Sequence, residues 1–366
     1  MLTTLTIIAW SILGIQIICL VSLLIAFSGK REQPIANEEV PVSVIVCAHD
    51  EEENLRALIP LLLNQQYGSF EVIIVEDRCN DGTFDYLLEA TRLDPRLKMV
   101  RVRYLPEHVS GKKYALTLGI KAASYEWILL TDADCRPASD KWIQSMTSHF
   151  QAEKEIVIGY SPYIKFPTYL NSFIRFESLV TGIQFIGAAL SGRPYMGVGR
   201  NLAYRKNLFF DNKGFNKHLH VTGGDDDLFI NMVATKNNTA IVTDKEAHTL
   251  SEPKKTWNEW QQQKFRHYTT SKYYKGKHKF LLGLYSFTQI LVYPLCIAAI
   301  LFYNWWLALA VLGLRMAIQG FIWYKSMKKL NEADLWPYFI FLDIWMFFYY
   351  LLFAPALFKK PARSWN

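Results

Sequence analysis

Hydrophobic and polar residues separate along this chain on two length scales. At its ends the apolar residues form long runs. Leu5 to Phe27 carries no charge and is long enough to cross a bilayer, which takes about 20 residues. Three further apolar stretches run from about Leu281 to Phe302, Trp305 to Tyr324 and Tyr338 to Phe358. Between Val40 and about Ala247 the apolar runs are short and alternate with polar, helix-like segments. Val42–Ala48, Phe70–Val75, Lys98–Val102 and Trp127–Leu130 read as strands, most of them buried. Asp50-Glu51-Glu52-Glu53 and Asp81-Gly82-Thr83 open helices, with Asp or Thr available as a cap. Strands separated by helices predict an α/β domain on a mostly parallel sheet. Such sheets bind ligands beyond the carboxyl ends of their strands, where the acidic clusters of this chain fall.

This pattern divides the chain into an N-terminal anchor (1–30), an α/β domain (40–250), a juxtamembrane helix (251–280), C-terminal membrane segments (281–358) and a basic tail (359–366). The first run lacks a basic leader and a small-residue cleavage site, so it reads as an anchor rather than a cleaved signal. Lys30 and Arg31 follow it, and the positive-inside rule then places the α/β domain in the cytosol. The next two membrane segments form a hairpin turning at Asn304 and return at Lys325, Lys328 and Lys329. The last contains Asp343 and Pro355 and precedes Lys359, Lys360 and Arg363. A simple crossing would leave that tail outside, whereas a re-entrant or interfacial segment would not. Tyr163 to Leu190, interrupted by Lys165, Arg175 and Glu177, is too polar for a span and predicts a helix on the membrane or domain surface.

Composition narrows the class. With 51% hydrophobic and 20% charged residues in 366, the chain is not wholly membrane-embedded. The net charge of +7 lies largely beside the apolar runs, where it suits topology and anionic lipid headgroups. No zinc-finger or recognition-helix pattern supports nucleic-acid binding. The five cysteines form no CxxC pair, which argues against a disulfide framework or structural zinc and suits a reducing compartment.

Five motifs carry candidate chemistry. Asp132-Ala133-Asp134 at a strand end can place one carboxylate on a hard divalent cation and the other on a ribose, although Asp also caps turns. His49 and Glu51 follow the first strand and Asp77 ends the second; an acid there can hold a base or ribose and an imidazole can stack on the base. Gly111-Lys112-Lys113 places a cation at a helix start, suited to phosphate or simply a solvated lysine pair. Gly223-Gly224-Asp225-Asp226-Asp227 sets three carboxylates together, which raises the pKa of at least one if they are buried. A helix cap explains one of the three; a base for an attacking hydroxyl explains another. Gln262-Gln263-Lys264-Phe265-Arg266-His267 precedes the membrane, and Arg266 there can pair with a diphosphate.

Taken in order, these motifs resemble the family-2 glycosyltransferases of GT-A fold, especially the membrane-integrated branch with cellulose and hyaluronan synthases and ceramide glucosyltransferases. The resemblance covers Val42 to His267. It implies that Asp77 binds the nucleotide base, that Asp132 contacts the nucleotide, and that Asp134, assisted by Asp132, holds Mg2+ or Mn2+. It further implies that Asp225 is the base and that Gln262, Gln263 and Arg266 are the Gln-Gln/Arg-x-x-Arg-Trp motif of an inverting, metal-dependent enzyme. Three positions depart from the pattern: His49 replaces a frequent tyrosine, Gly224 a glutamate and His267 the tryptophan of the acceptor site in polymerising members. The expectation is therefore single sugar transfer from a UDP- or GDP-sugar to a lipid, lipid-linked or glycan acceptor, at the cytosolic face of the plasma membrane. A small processive synthase and an inactive membrane scaffold are the alternatives.

Overall fold

The computed structural model describes residues 2–28, 39–107, 109–219 and 221–358. Lys30 and Arg31, and the tail with Lys359, Lys360 and Arg363, lie outside the described residues.

Among the described residues nine strands form: β1 (Val42–Ala48), β2 (Phe70–Asp77), β3 (Leu97–Val102), β4 (Trp127–Leu130), β5 (Cys135–Pro137), β6 (Ile156–Ile158), β7 (Leu202–Arg205), β8 (Thr239–Ile241) and β9 (Thr249–Ser251). Seven of them make one sheet in the order β3-β2-β1-β4-β7-β6-β8, and β5 pairs with β9. The large sheet is parallel except at β7, which runs antiparallel to β4 and β6. Side chains alternate across it. Val44, Val46, Val72 and Ile74 enter one core, while Ile45, Ile73 and Val75 enter the other.

The first core is covered by α2 (Glu52–Leu63), through Leu55, Leu58 and Leu62, and by α5 (Trp142–Thr147). Between them in the chain lie α3 (Thr83–Leu93) and α4 (Gly111–Ala122), the latter packing Ala115, Leu116 and Ile120 on the second face. This second core continues through α6 (Tyr169–Leu190), α7 (Lys206–Asp211), α8 (Asp227–Val233) and α9 (Trp257–Ser271). It extends to α1 (Leu2–Ser28), α10 (Gly276–Phe302), α11 (Trp305–Lys329) and α12 (Phe339–Phe353). The first face is thus covered by helices of the α/β domain, and the second by further helices of that domain together with the apolar segments.

Among the described residues, five helical runs are long and apolar enough to cross a membrane: Trp10–Ser28, Tyr169–Leu190, Gly276–Phe302, Trp305–Lys329 and Ala333–Leu357. The second corrects the surface-helix expectation. In α6, Phe173, Ile174, Phe176, Leu179 and Ile183 are buried, and so are Arg175 and Glu177. Arg175 pairs with Glu332 and Asp334; Glu177 pairs with Lys264 and accepts a hydrogen bond from the Tyr349 hydroxyl at 3.0 Å. Charges that looked like a solvent face are matched by residues far away in the chain. At Gly187 the helix comes so near α1 that an added Cβ would lie 2.4 Å from Leu23.

In the last apolar stretch the α-helix is 15 residues, about 22 Å at 1.5 Å per residue, with 3₁₀ turns at Ala333–Tyr338 and Ala354–Phe358. Asp343 is buried at the centre of a polar network. It pairs with Arg315 at 2.9 Å and accepts hydrogen bonds from Gln319 and Tyr293, both at 2.6 Å. Arg315 also donates to Gln16 at 2.9 Å and Gln289 at 2.8 Å, so the network joins α1, α10, α11 and α12. At the other end of α11, Lys329 donates to the Phe27 carbonyl at 3.2 Å. The lysine-rich end of α11 and the chain leaving α1 are therefore side by side.

Candidate active site

Strands β1, β2 and β4 end together because they are neighbours in parallel register. That edge opens on a cavity of about 1020 Å3, lined among others by His49, Glu51, Lys112, Asp132, Asp134, Asp225, Gln263 and Arg266. Residues more than 200 positions apart thus share one chamber.

Lys112 organises it. Its Nζ donates to Asp132 Oδ1 at 2.9 Å and lies 3.3 Å from Asp225 Oδ2. One ammonium therefore ties the Asp-x-Asp turn after β4 to the carboxylate trio before α8. Burial works against its charge, but Asp132, Asp225 and Asp226 outweigh it and hold its pKa well above the ordinary lysine value. Lys113 is fully buried and donates to the carbonyls of His218 (2.6 Å) and Val221 (2.9 Å), bracing the loop that leads to the trio. The two lysines are not a solvated pair.

The trio divides its work by geometry. Asp226 is the N-cap of α8 and accepts from the backbone N–H of Asp227 and of Gly199, each at 2.7 Å. Burial, with Asp225 and Asp227 on either side, pushes its pKa up to about 7. Asp227 accepts from the hydroxyls of Tyr274 (2.7 Å) and Thr270 (2.8 Å), though burial still raises its pKa. Asp225 has Lys112 as an ion-pair partner at 3.3 Å and lines the cavity. Gly223 and Gly224, at φ +85° and +77°, make the turn that presents the trio. The left-handed conformation accounts for glycine at 224, where a Cβ would lie 2.5 Å from Leu228.

The pair in the Asp-x-Asp turn is split electrostatically. Burial disfavours ionisation of Asp132, but Lys112, Arg200 and Arg266 prevail and lower its pKa. Burial and then the Asp132 charge raise that of Asp134. Glu51 is also raised, first by burial and further by Asp134 and Asp132. These hard oxygen donors in mutual repulsion fit a divalent cation: Asp134 and Asp132 would hold it, with Glu51 nearby.

Other sequence-predicted residues are placed unequally. His49 lines the cavity, with Nδ1 2.5 Å from the Asp77 carbonyl oxygen. Asp77 is fully buried, its carboxylate engaged by Arg78 Nε at 2.7 Å and Nη2 at 3.1 Å, and it is not part of the lining. Gln263 and Arg266 line the cavity; Gln262 is exposed and does not. Arg200 was not foreseen. It lies over the Tyr163 ring at 4.7 Å and acts electrostatically on both Asp132 and Asp134. Its sequence signal was the glycine spacing in Gly197-Val198-Gly199-Arg200, which brings backbone close to Asp226.

Comparisons with known proteins bear on the family and the fold. Residues 43–211 match the model of "Glycosyl transferase family 2". The chain is 25% identical over 166 residues to a UDP-Glc:alpha-D-GlcNAc-diphosphoundecaprenol beta-1,3-glucosyltransferase of Escherichia coli, covering 44% of this chain and 56% of that protein. It is 33% identical over 115 residues to a beta-monoglucosyldiacylglycerol synthase of Trichormus variabilis, covering 31% and 24%. These matches span about half or less of the relatives' lengths. Among solved structures, a mannosyltransferase of Pyrobaculum calidifontis in complex with GDP-Man and Mn2+ aligns over 94% of this chain and 99% of that one. Its TM-score is 0.61 at 15% identity, a likeness of fold.

Proposed function

Residues 43–211 are a glycosyl transferase family 2 domain, and from that premise we propose an inverting, metal-dependent transfer of one sugar from a UDP- or GDP-sugar to a lipid or lipid-linked acceptor. The observation that carries this reading is Lys112, bridging Asp132 of the Asp-x-Asp turn and Asp225 of the trio inside one cavity. The donor lies against β1, β2 and β4, with its base toward His49, which the Asp77 backbone carbonyl positions, and its diphosphate toward Asp132, Arg200 and Arg266. The bound Mg2+ or Mn2+ supplies Lewis-acid neutralisation of the diphosphate.

Asp225 takes the proton of the acceptor hydroxyl as its oxygen bonds to the anomeric carbon. The bond from that carbon to the phosphate oxygen breaks, and its electron pair leaves with the nucleoside diphosphate. Arg266 and Arg200 stabilise the charge that develops there. Asp226 and Asp227, already occupied by backbone and hydroxyl donors, are left out of the proton transfer. The lipid-linked acceptor named for one relative, the glycolipid product named for the other and the five apolar helices support the acceptor class. Placement in the plasma membrane with the site toward the cytosol follows from the positive-inside reading and from the supply of nucleotide-sugars there.

The test is a screen of labelled UDP- and GDP-sugars with purified protein and membrane lipid extract. Single glycosylated lipid products are expected, and a polymer ladder would sink the single-transfer reading. Asp225→Asn should lower turnover roughly 10²–10⁴-fold with nucleotide affinity retained; normal turnover would remove Asp225 as base.

A further inference from the structure

The cavity continues past the carboxylates. Beyond Tyr274 its lining passes onto α10 and α12, where Leu282, Phe287, Ile290 and Met346 make it apolar. Leu282, Ser286 and Ile290 recur every four residues and so share one face of α10. This end is open: Phe287 is 58% exposed and Leu357, beyond α12, 42%. Both belong to runs long and apolar enough to lie in a membrane.

Charge changes along the same path. The acids of the lining are Glu51, Asp132, Asp134, Glu177 and the trio 225–227. The lining from Ser271 to Ile290 and from Met346 to Leu357 instead carries Lys272 and Lys279, with no acid. Lys279 is exposed, and its Nζ donates to the Lys272 backbone carbonyl at 3.2 Å, while the Lys272 ammonium lies over the Tyr273 ring, 5.2 Å from its centroid.

Resting on the transferase reading above, we propose that this end of the cavity seats the acceptor. It is a lipid with a phosphate-bearing headgroup and a long aliphatic tail, entering sideways between α10 and α12. A tail leaving the bilayer for an apolar groove keeps its apolar surroundings, so the headgroup reaches a polar site without extraction of the lipid into water. The phosphate meets Lys272 and Lys279 at the boundary between the two zones.

Gly283 offers a direct probe. It lies in the lining, and an added Cβ there would meet no atom within 4 Å, so Gly283→Phe is the variant chosen to narrow the groove. Gly313 on α11 is equally open but does not line the cavity, which makes Gly313→Phe the control.

The experiment uses the full chain in phosphatidylcholine vesicles, labelled with oleyl phosphate carrying a photoreactive group in its tail. The label should fall on α10 and α12, and Gly283→Phe should reduce it at least about tenfold, a loss of roughly 1.4 kcal/mol or more. Gly313→Phe should leave it unchanged. Unlabelled oleyl phosphate should compete, whereas oleyl alcohol at the same mole fraction should not. Label spread evenly over the outer face of α11, indifference to Gly283→Phe, or equal competition by the alcohol would each overturn the proposal. Labelling needs no turnover, so a protein that takes up the probe but moves no sugar would count against the transferase reading alone.

Discussion

At the scale of single residues, the trio Asp225-Asp226-Asp227 shows how identical side chains are made different by their neighbours. Asp226 caps α8 and has a pKa of about 7 against an ordinary 3.8. The folded state therefore holds a proton here that the unfolded chain has lost, and stability falls as pH rises from about 4 to about 7. Asp226→Asn keeps a capping oxygen and should flatten that part of the curve, read from melting temperatures of metal-free protein in detergent. An unchanged slope would show that Asp226 does not carry it. Gly224 is tested by backbone strain. At φ +77°, with Leu228 in the path of a Cβ, Gly224→Ala should cost at least about 1–2 kcal/mol. Equal stability in denaturant titrations would refute that strain.

At the scale of elements, buried charges decide where helices can go. A helix carrying Arg175 and Glu177 does not look like an internal one, since isolated ions are strongly disfavoured in apolar surroundings. It becomes internal because Glu332, Asp334 and Lys264 arrive from other elements to pair with them. Asp343 and Arg315 apply the same rule among the apolar helices. Asp343→Leu leaves Arg315 buried and unmatched and should destabilise the chain by about 3–5 kcal/mol. Adding Arg315→Leu should recover part of the loss, because the unpaired ion is then gone. Thermal denaturation of the single and double variants checks both signs, and a double variant worse than the sum of the singles would contradict this account.

At the scale of the whole molecule, the second face of the sheet, the apolar helices and the cavity form one continuous body. The strand ends carry the polar chemistry and α10 and α12 carry the apolar approach. If Asp134 and Asp132 hold a divalent ion for the donor, chelation should abolish transfer and Mn2+ or Mg2+ should restore it, measured as labelled lipid product. Full activity in excess chelator would exclude metal dependence.

Strand–helix alternation, and with it the mostly parallel sheet, was legible in the sequence because both are local. A run such as Val42–Ala48 is buried on both faces, and its composition says so wherever it is read. The Asp-x-Asp turn was legible for the same reason, since a strand end and two carboxylates sit within a few residues. Tertiary structure alone decided that Lys112 joins Asp132 to Asp225, that Arg200 faces the Asp-x-Asp pair, that Gln263 rather than Gln262 lines the cavity, and that α6 lies inside. Apart from the choice between the two glutamines, each of these depends on a charge finding its partner across a long stretch of chain. Local pattern records that a residue is charged, but only packing supplies the opposite charge that lets it be buried.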